Sequence, residues 1–395
     1  MRPFASLMPY PQALAKALAA VRPVTGSERM LLQDAPGRLL AEDVLSPGDL
    51  PPIARAAMDG YAVAAESVPG ELPCAGASHA GIPFKGTMKP GTCIEIATGA
   101  AIPKGADAVV MVEETVREGK KIRFSKPARP GQNLSPKGED LKKGQPIARS
   151  GQLVHPGVLA ALAASGQTDL KVIRRPRVAH ATGGDEVVKP GQALKSVDGV
   201  YDSNSFAVSA LARAHGGEPR PLGIVPDTIE ALREAVDRMK DADLVVFSGG
   251  TSVGPKDFTL DVLGKDTELI FRGVAVKPGR PTMLARLADG RLFLGLPGYP
   301  VSCLMMGYAF LVPMLRKMAG VPAGWGRTES FPAAEAIRAA EAMHTFVTVR
   351  VEKGKAKPVF RKSSTLTSFS TAEGIVELGA GEAIRKGEVA AVRFL

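Results

Sequence analysis

Thiols are scarce and dispersed in this chain. Cys74, Cys93 and Cys303 lie far apart, with no Cys-x-x-Cys. That argues against a disulfide framework or a structural zinc site and fits a reducing compartment. The five histidines are equally scattered, and no His-Glu-x-x-His occurs. A metal here is therefore expected on oxygen ligands, Mg²⁺ with phosphates rather than zinc. Aromatics are only 5%, and basic residues do not alternate with Phe or Tyr. A single-strand stacking platform is absent, and no nucleic-acid partner is expected. The longest apolar stretches, about a dozen residues, carry glycine or charge, so no membrane span is expected. Met1-Arg-Pro-Phe4 lacks the apolar core and cleavage site of a signal peptide, which leaves the cytoplasm as the default. No Ser/His/Asp or Cys/His arrangement, internal repeat or low-complexity segment is evident.

What is present points to a globular protein with an anionic ligand. Hydrophobic residues make up 45% and charged residues 23% of 395, enough for roughly two to four domains. The net charge of +10 favours an anionic partner, and a small phosphorylated molecule needs only a local basic pocket.

The texture changes along the chain. A helical pattern runs from Gln12 to Ala20, and Gly26-Ser-Glu-Arg-Met30 reads as a helix start. From about Val44 to Lys137, short alternating pieces such as Gly91–Ala97 and Asp107–Glu113 are separated by Pro/Gly turns, as in a small β domain. Pro156–Ser165 reads as a helix closed by Gly166. Between Arg177 and Gly320, strands alternate with helices. The strands are 177–181, 221–225, 243–247, 271–276 and 292–296. The helices are Ser203–His215, Thr228–Lys240 with Asp227 as N-cap and Glu230 three residues on, and a long one from Pro300. This pattern implies a parallel sheet with ligands at the carboxyl ends of its strands. The last ~70 residues return to β texture, with 383–393 read as a hairpin.

Residues Phe247–Asp257, Phe-Ser-Gly-Gly-Thr-Ser-Val-Gly-Pro-Lys-Asp, follow an apolar strand. Such a turn can wrap amides and hydroxyls around a phosphate. It is neither a Walker A loop, because Pro255-Lys256-Asp257 stands where Lys-Ser/Thr is required, nor a Rossmann fingerprint. Every other strand end in the region also carries functional residue types. These are Thr182–Glu186, Tyr201–Asn204, Lys277-Pro-Gly-Arg-Pro281 and Leu296–Ser302. Each alone reads as a turn or cap; five on one sheet edge suggest a site. Lys277 and Arg280 supply cationic donors. Ser252, Thr251, the loop amides and the helix starts near Ser203 and Ser302 supply neutral donors. Asp185, Glu186, Asp202 and Asp257 supply carboxylates for a metal or a ligand's amino edge. Elsewhere, Asp59 before Gly60 and Glu139-Asp140 place acids in tight turns.

Taken together, these segments resemble the molybdopterin molybdenumtransferases, the bacterial MoeA proteins, similar to the E domains of gephyrin and its eukaryotic counterparts. The motifs run in order along nearly the whole chain: 57–63, 98–110, 138–140, the Thr-Gly/Asp-Glu turn, 202–204, 248–254, 277–281 and 296–302. The resemblance implies an α/β multidomain fold with an elongated subunit. It pairs a molybdopterin-binding-like parallel-sheet domain (176–322) with β-rich domains. Those are a discontinuous α+β dimerisation domain (1–45 and 140–175), an inserted β domain (46–139) and a C-terminal β domain (323–395). It implies a homodimer that inserts molybdate into adenylylated molybdopterin and releases AMP with Mg²⁺. Transient contact with the adenylylating enzyme is also implied.

Carried over by position, Asp59, Asp140, Glu186, Asp202, Asp257 and Lys277 are catalytic candidates, with Asp59 and Asp140 acting across the dimer interface. Gly249, Gly250, Thr251, Ser252, Gly254, Arg280, Pro281, Ser302 and Ser363 are ligand-binding candidates; Asp257, Glu186 and Asp202 are metal candidates. Lys277, Arg280 and Ser302 would hold the tetrahedral dianion. Several positions depart from the family pattern: Ala54-Arg55-Ala56, Ser135, the extra glycine at 183–184, Tyr299, and Thr348 where arginine is common. A paralogue handling tungstate and a non-catalytic molybdopterin-binding scaffold are the competing expectations.

Overall fold

Apolar runs in the 177–296 region form strands of a single six-stranded sheet in the computed structural model, which describes residues 6–194, 196–249, 266–360 and 365–395. The strands are β1 (Arg177–Gly183), β2 (Glu218–Val225), β3 (Leu244–Ser248), β4 (Glu268–Arg272), β5 (Met283–Arg286) and β6 (Leu292–Leu296). Their order is β2-β1-β3-β6-β5-β4. β3 and β6 are buried at every position, as expected for strands covered on both faces. β2, β1, β3 and β6 run parallel, as the alternation with helices implied.

The other half of the sheet corrects the sequence reading, because β5 and β4 pair antiparallel. The single strand expected over 271–276 is broken at Gly273, whose φ is +82°. β4 stays in this sheet, while Val274–Lys277 joins another one beside His344–Glu352. Glycine adopts that backbone without steric cost.

Among the described residues, the helices that follow strands of this sheet include α1 (Asn204–Ala214), α2 (Ile229–Arg238) and α3 (Pro300–Met306). α2 is capped by Thr228, whose hydroxyl accepts the Ala231 N–H at 3.2 Å, rather than by Asp227. Asp227 instead donates its own N–H to Asp185. α3 continues through a π turn (Gly307–Leu311) into a further helix, Val312–Met318. Pro313 explains the wide turn: it has no N–H, and its ring crowds the carbonyl four residues back. The continuous 300–318 span corrects the expectation of no membrane-length segment. By length and composition it could cross a bilayer, but 78% of it is buried inside the fold. Phe310 of this span meets the ring of Tyr10 edge-on at 5.5 Å, and Tyr10 meets Phe346 at 5.1 Å.

The chain divides into two compact units, Met1–Glu28 with Ile173–Leu395, and Arg29–Val172. In the first, the expected 383–393 hairpin does not form. Ala383–Ile384 pairs with Ile337–Arg338, whereas Val389–Phe394 lies between Gly374–Leu378 and Thr328–Pro332. In the second, six strands form a sheet containing Gly60–Val63, Gly70–Ser78 and Cys93–Ile96. The expected helix start at 26–30 is instead a strand, Ser27–Leu31. Cys74 and Cys93, distant in sequence, are register partners on parallel strands and remain free thiols. Burial pushes the Cys93 thiol up to about 12.

Candidate active-site cavity

Parallel pairing brings the carboxyl ends of β1, β3 and β6 side by side, with Thr182 opposite Ser248 and Ser248 opposite Leu296. Each strand runs out into a glycine. A Cβ on Gly249 (φ +91°) would lie 2.6 Å from the Gly183 carbonyl, and one on Gly298 would lie 3.5 Å from the Gly249 Cα. Bare backbone therefore lines a cavity of about 480 Å³ at this edge, where open α/β sheets place their ligands.

The cavity is backed by a hydroxyl–carboxylate network. Ser248 Oγ donates to Thr182 Oγ1 (3.1 Å), and Thr182 Oγ1 donates to Asp202 Oδ1 (3.1 Å). Ser205 Oγ lies 3.0 Å from Thr182 Oγ1, and the Ser205 N–H donates to Asp202 Oδ1 at 3.0 Å. Asp202 is only 6% exposed and is tied to the first turn of α1 as a cap is. Its cap role and its place in the cavity wall coexist. A short parallel ladder, Val187–Val188 with Val200–Tyr201, sets Glu186 and Tyr201 on either side; the Val200 N–H donates to the Glu186 carbonyl at 3.0 Å. Behind the network, His180 Nε2 lies 2.8 Å from Ser209 Oγ. Burial depresses this imidazole to about 4, against an opposing pull from Asp202.

Of the residues singled out in the sequence, Glu186, Asp202, Gly249 and Pro281 share this cavity. Asp185 points its carboxylate to the Asp227 N–H at 3.2 Å. Ser302 is buried on the first turn of α3. Lys277 ends the strand Val274–Lys277 and Arg280 stands on the turn that follows; both are exposed. That turn rests on α3: a Cβ on Gly279 (φ +117°) would meet Met306 Cγ at 2.4 Å. Met306 lies four residues beyond Ser302, on the same helix face. Asp59 and Asp140 belong to the other unit. Asp59 is exposed and accepts both the Thr98 N–H (2.6 Å) and the Thr98 hydroxyl (2.9 Å) on Oδ1. These bonds hold its carboxyl below the usual range. Gly60 follows Asp59 because a Cβ there would fall 2.0 Å from the Val110 carbonyl. Asp140 is exposed, with its N–H on the Leu50 carbonyl at 3.0 Å. Gly250, Thr251, Ser252, Gly254, Asp257 and Ser363 lie outside the described residues.

The sequence gives no sign of Asp198 as a ligand contact, and it marks Asp227 only as a cap; both line the cavity. Tyr201, Asn204 and Tyr299, which belong to the strand-end loops 201–204 and 296–302, also line it. Among the described residues, no three His, Cys, Asp or Glu side chains converge as a metal site.

An α/β domain with a mixed sheet and a glycine-floored cavity at the ends of its parallel strands, set in a larger chain of β-rich pieces, defines a molybdopterin-binding-like multidomain protein. Family models account for most of the sequence: "MoeA N-terminal region (domain I and II)" over 8–166, "Probable molybdopterin binding domain" over 179–317, and "MoeA C-terminal region (domain IV)" over 330–395. The chain belongs to the MoeA family. It is 39% identical over 313 residues to the molybdopterin molybdenumtransferase of Haemophilus influenzae, covering 78% of this chain and 77% of that one. It is 36% identical over 302 residues to the enzyme of that name from a Nostoc species, covering 74% and 69%. The crystal structure of the molybdopterin biosynthesis MoeA protein from Pyrococcus horikoshii superposes with a TM-score of 0.84. That comparison has 33% identity and covers 98% of this chain and 99% of that one.

Proposed function

We propose that this protein acts in molybdenum cofactor biosynthesis as a molybdopterin molybdenumtransferase, inserting molybdate into adenylylated molybdopterin and releasing AMP. The observation that carries this reading is the cavity at the ends of β1, β3 and β6. It lies within the segment matching a probable molybdopterin binding domain, in a chain whose relatives bear that enzyme name.

The residues divide the work by their chemistry. Lys277 and Arg280, exposed at a strand end and on the turn that follows, are the cations for the tetrahedral oxyanion, and Ser302 adds a hydroxyl from α3. Pro281 joins that turn to the cavity wall. The amides around Gly249 are neutral donors for phosphate oxygens. Glu186 and Asp202 offer hard carboxylate oxygens that suit Mg²⁺, an ion that takes one or two carboxylates together with substrate phosphates and keeps its waters. When bound there, Mg²⁺ would supply charge neutralisation to the phosphoanhydride. Asp59, with its carboxyl held ionised by Thr98, is the acid that meets the ligand from the second unit of a partner subunit, and Asp140 joins it. The working form is accordingly a homodimer that makes transient contact with the adenylylating enzyme. The free thiols suit the reducing cytoplasm.

The test incubates purified protein with adenylylated molybdopterin, molybdate and Mg²⁺ and follows AMP. Release that requires both molybdate and Mg²⁺ is expected; none with an intact dimer, checked by sedimentation, would refute the reading. Replacing molybdate by tungstate in the same assay separates a tungstate-handling paralogue.

A further inference from the structure

Cys74 and Cys93 stand opposite each other in the parallel pair formed by Gly70–Ser78 and Cys93–Ile96. Neighbouring strands lie about 4.8 Å apart, within the roughly 4.4–6.8 Å that separates the Cα atoms of a disulfide. The two side chains share one face of the sheet. Cys93 belongs to the apolar cluster of Tyr61, Leu72 and Ile122, and Cys74 packs against it. Cys93 Sγ donates weakly, at 3.7 Å, to the carbonyl of Pro73, the residue directly before Cys74. Burial first, and then the neighbouring Cys74 thiol, push Cys93 up to about 12. The two thiols differ in access: Cys93 is 0% exposed, whereas Cys74 is half-buried. Cys74 Sγ donates weakly to the Gly76 carbonyl at 3.4 Å, a contact that rotation about one side-chain bond gives up. The strand register shifts between Cys74 and Ala77, and such an irregularity bends a strand locally.

We propose that Cys74 and Cys93 form a reversible thiol-modification site, at which a small disulfide such as oxidised glutathione reacts with Cys74 and Cys93 resolves the product into a Cys74–Cys93 bond. In the first step the Cys74 thiolate attacks one sulfur of the oxidant. The oxidant's S–S bond breaks, one glutathione stays on Cys74, and the other leaves and takes up the proton. In the second step Cys93 gives up its proton and attacks the Cys74 sulfur, and the second glutathione leaves as a thiol. Two protein thiols are thus oxidised while one small disulfide is reduced to two thiols. Cβ atoms at strand spacing stand wider than the ~3.8 Å mean of a relaxed disulfide, so the bond is strained and readily reduced. The pair therefore rests as a dithiol in a reducing compartment and closes only when oxidant rises. Burial keeps Cys93 protonated at neutral pH, which makes the second step the slow one. Once formed, the bond stitches in the strand that leads, through Ile96 opposite Gly60, to the Thr98 donors of Asp59. This chemistry is independent of the transferase reading.

The test exposes the full-length reduced protein to glutathione buffers of rising oxidised fraction, quenches with acid, and reads the intact mass and the disulfide-linked peptides. Wild type is expected to lose two hydrogens, with Cys74 linked to Cys93 and Cys303 still free. Excess reduced glutathione should restore the starting mass. Cys93→Ser should instead accumulate glutathione on Cys74. Cys74→Ser should react at least about tenfold more slowly than wild type, because a buried thiol is inert to the reagent. Three wild-type results overturn the proposal: glutathione on Cys74 with no internal bond at any ratio, a bond to Cys303, or no reaction. Equal modification of the two serine variants overturns it as well. If thermal melting shows a serine variant unfolded, the wild-type peptide map decides by itself.

Discussion

Asp202 and Asp59 are both acids in turns, yet the two units treat them in opposite ways. Asp202 is buried, shares Oδ1 between Thr182 and Ser205, and stands in a wall formed by three strand ends. Asp59 is exposed on a tight turn, and both of its donors come from Thr98. The first carboxylate is built into the fold, and the second is held by one neighbour at the surface. One region is a pocket prepared before ligand arrives; the other presents a charge to whatever meets it.

The strongest way to break the comparison is through the backbone beneath each acid. Gly249→Ala combines a left-handed φ with a Cβ 2.6 Å from a carbonyl, and Gly60→Ala sets a Cβ 2.0 Å from one. Each should cost about 3 kcal/mol or more of stability by urea unfolding. The side chains should then diverge. Asp202→Ala is expected to lower stability by about 2 kcal/mol through the lost cap and network, and AMP release by about 100-fold with it. Asp59→Asn should lower AMP release by about as much while leaving the melting temperature unchanged. A matching loss of stability at Asp59 would erase the distinction.

Acid sensitivity belongs to the α/β unit through His180. Its folded-state value of about 4 lies below the ordinary 6.5, so between these values the unfolded chain binds the extra proton. Stability is therefore full above about pH 6.5 and declines as pH falls towards 4, by up to about 3 kcal/mol. His180→Gln should flatten the decline in urea unfolding measured across that range. The smallest effect is expected at Thr98→Val. Losing the hydroxyl donor raises the Asp59 carboxyl from its lowered position, shifting the acid limb of the activity profile upward without changing its plateau.

Much of this was legible from local pattern. The runs ending at Phe247 and Leu296 read correctly as buried strands, and Pro300 as a helix start, because apolar periodicity and proline placement are local signals. Of the acids in the strand-end loops, Glu186 and Asp202 line the cavity, Asp185 binds the Asp227 N–H instead, and Asp257 lies outside the described residues. The misreadings share a cause. The 271–276 strand splits at Gly273 because its two halves find different partners. The 383–393 segment likewise pairs with strands far away rather than with itself. Asp227 reads as a cap, yet Thr228 takes that role. Asp198 carries no local mark of a site; only the fold brings it to the cavity that Asp202 lines.

The sequence alone determined the family, the strand–helix alternation from Arg177 to Leu244–Ser248 and the charged loops at the strand ends, because periodicity, capping and motif order are written within a few residues of one another. Only the tertiary structure decided which of those loops share a cavity. Asn204 faces Gly298, 94 residues on, and Thr182 meets Ser248, 66 residues on. Parallel register and close backbone approach at glycine create those contacts, and neither depends on residues adjacent in the chain.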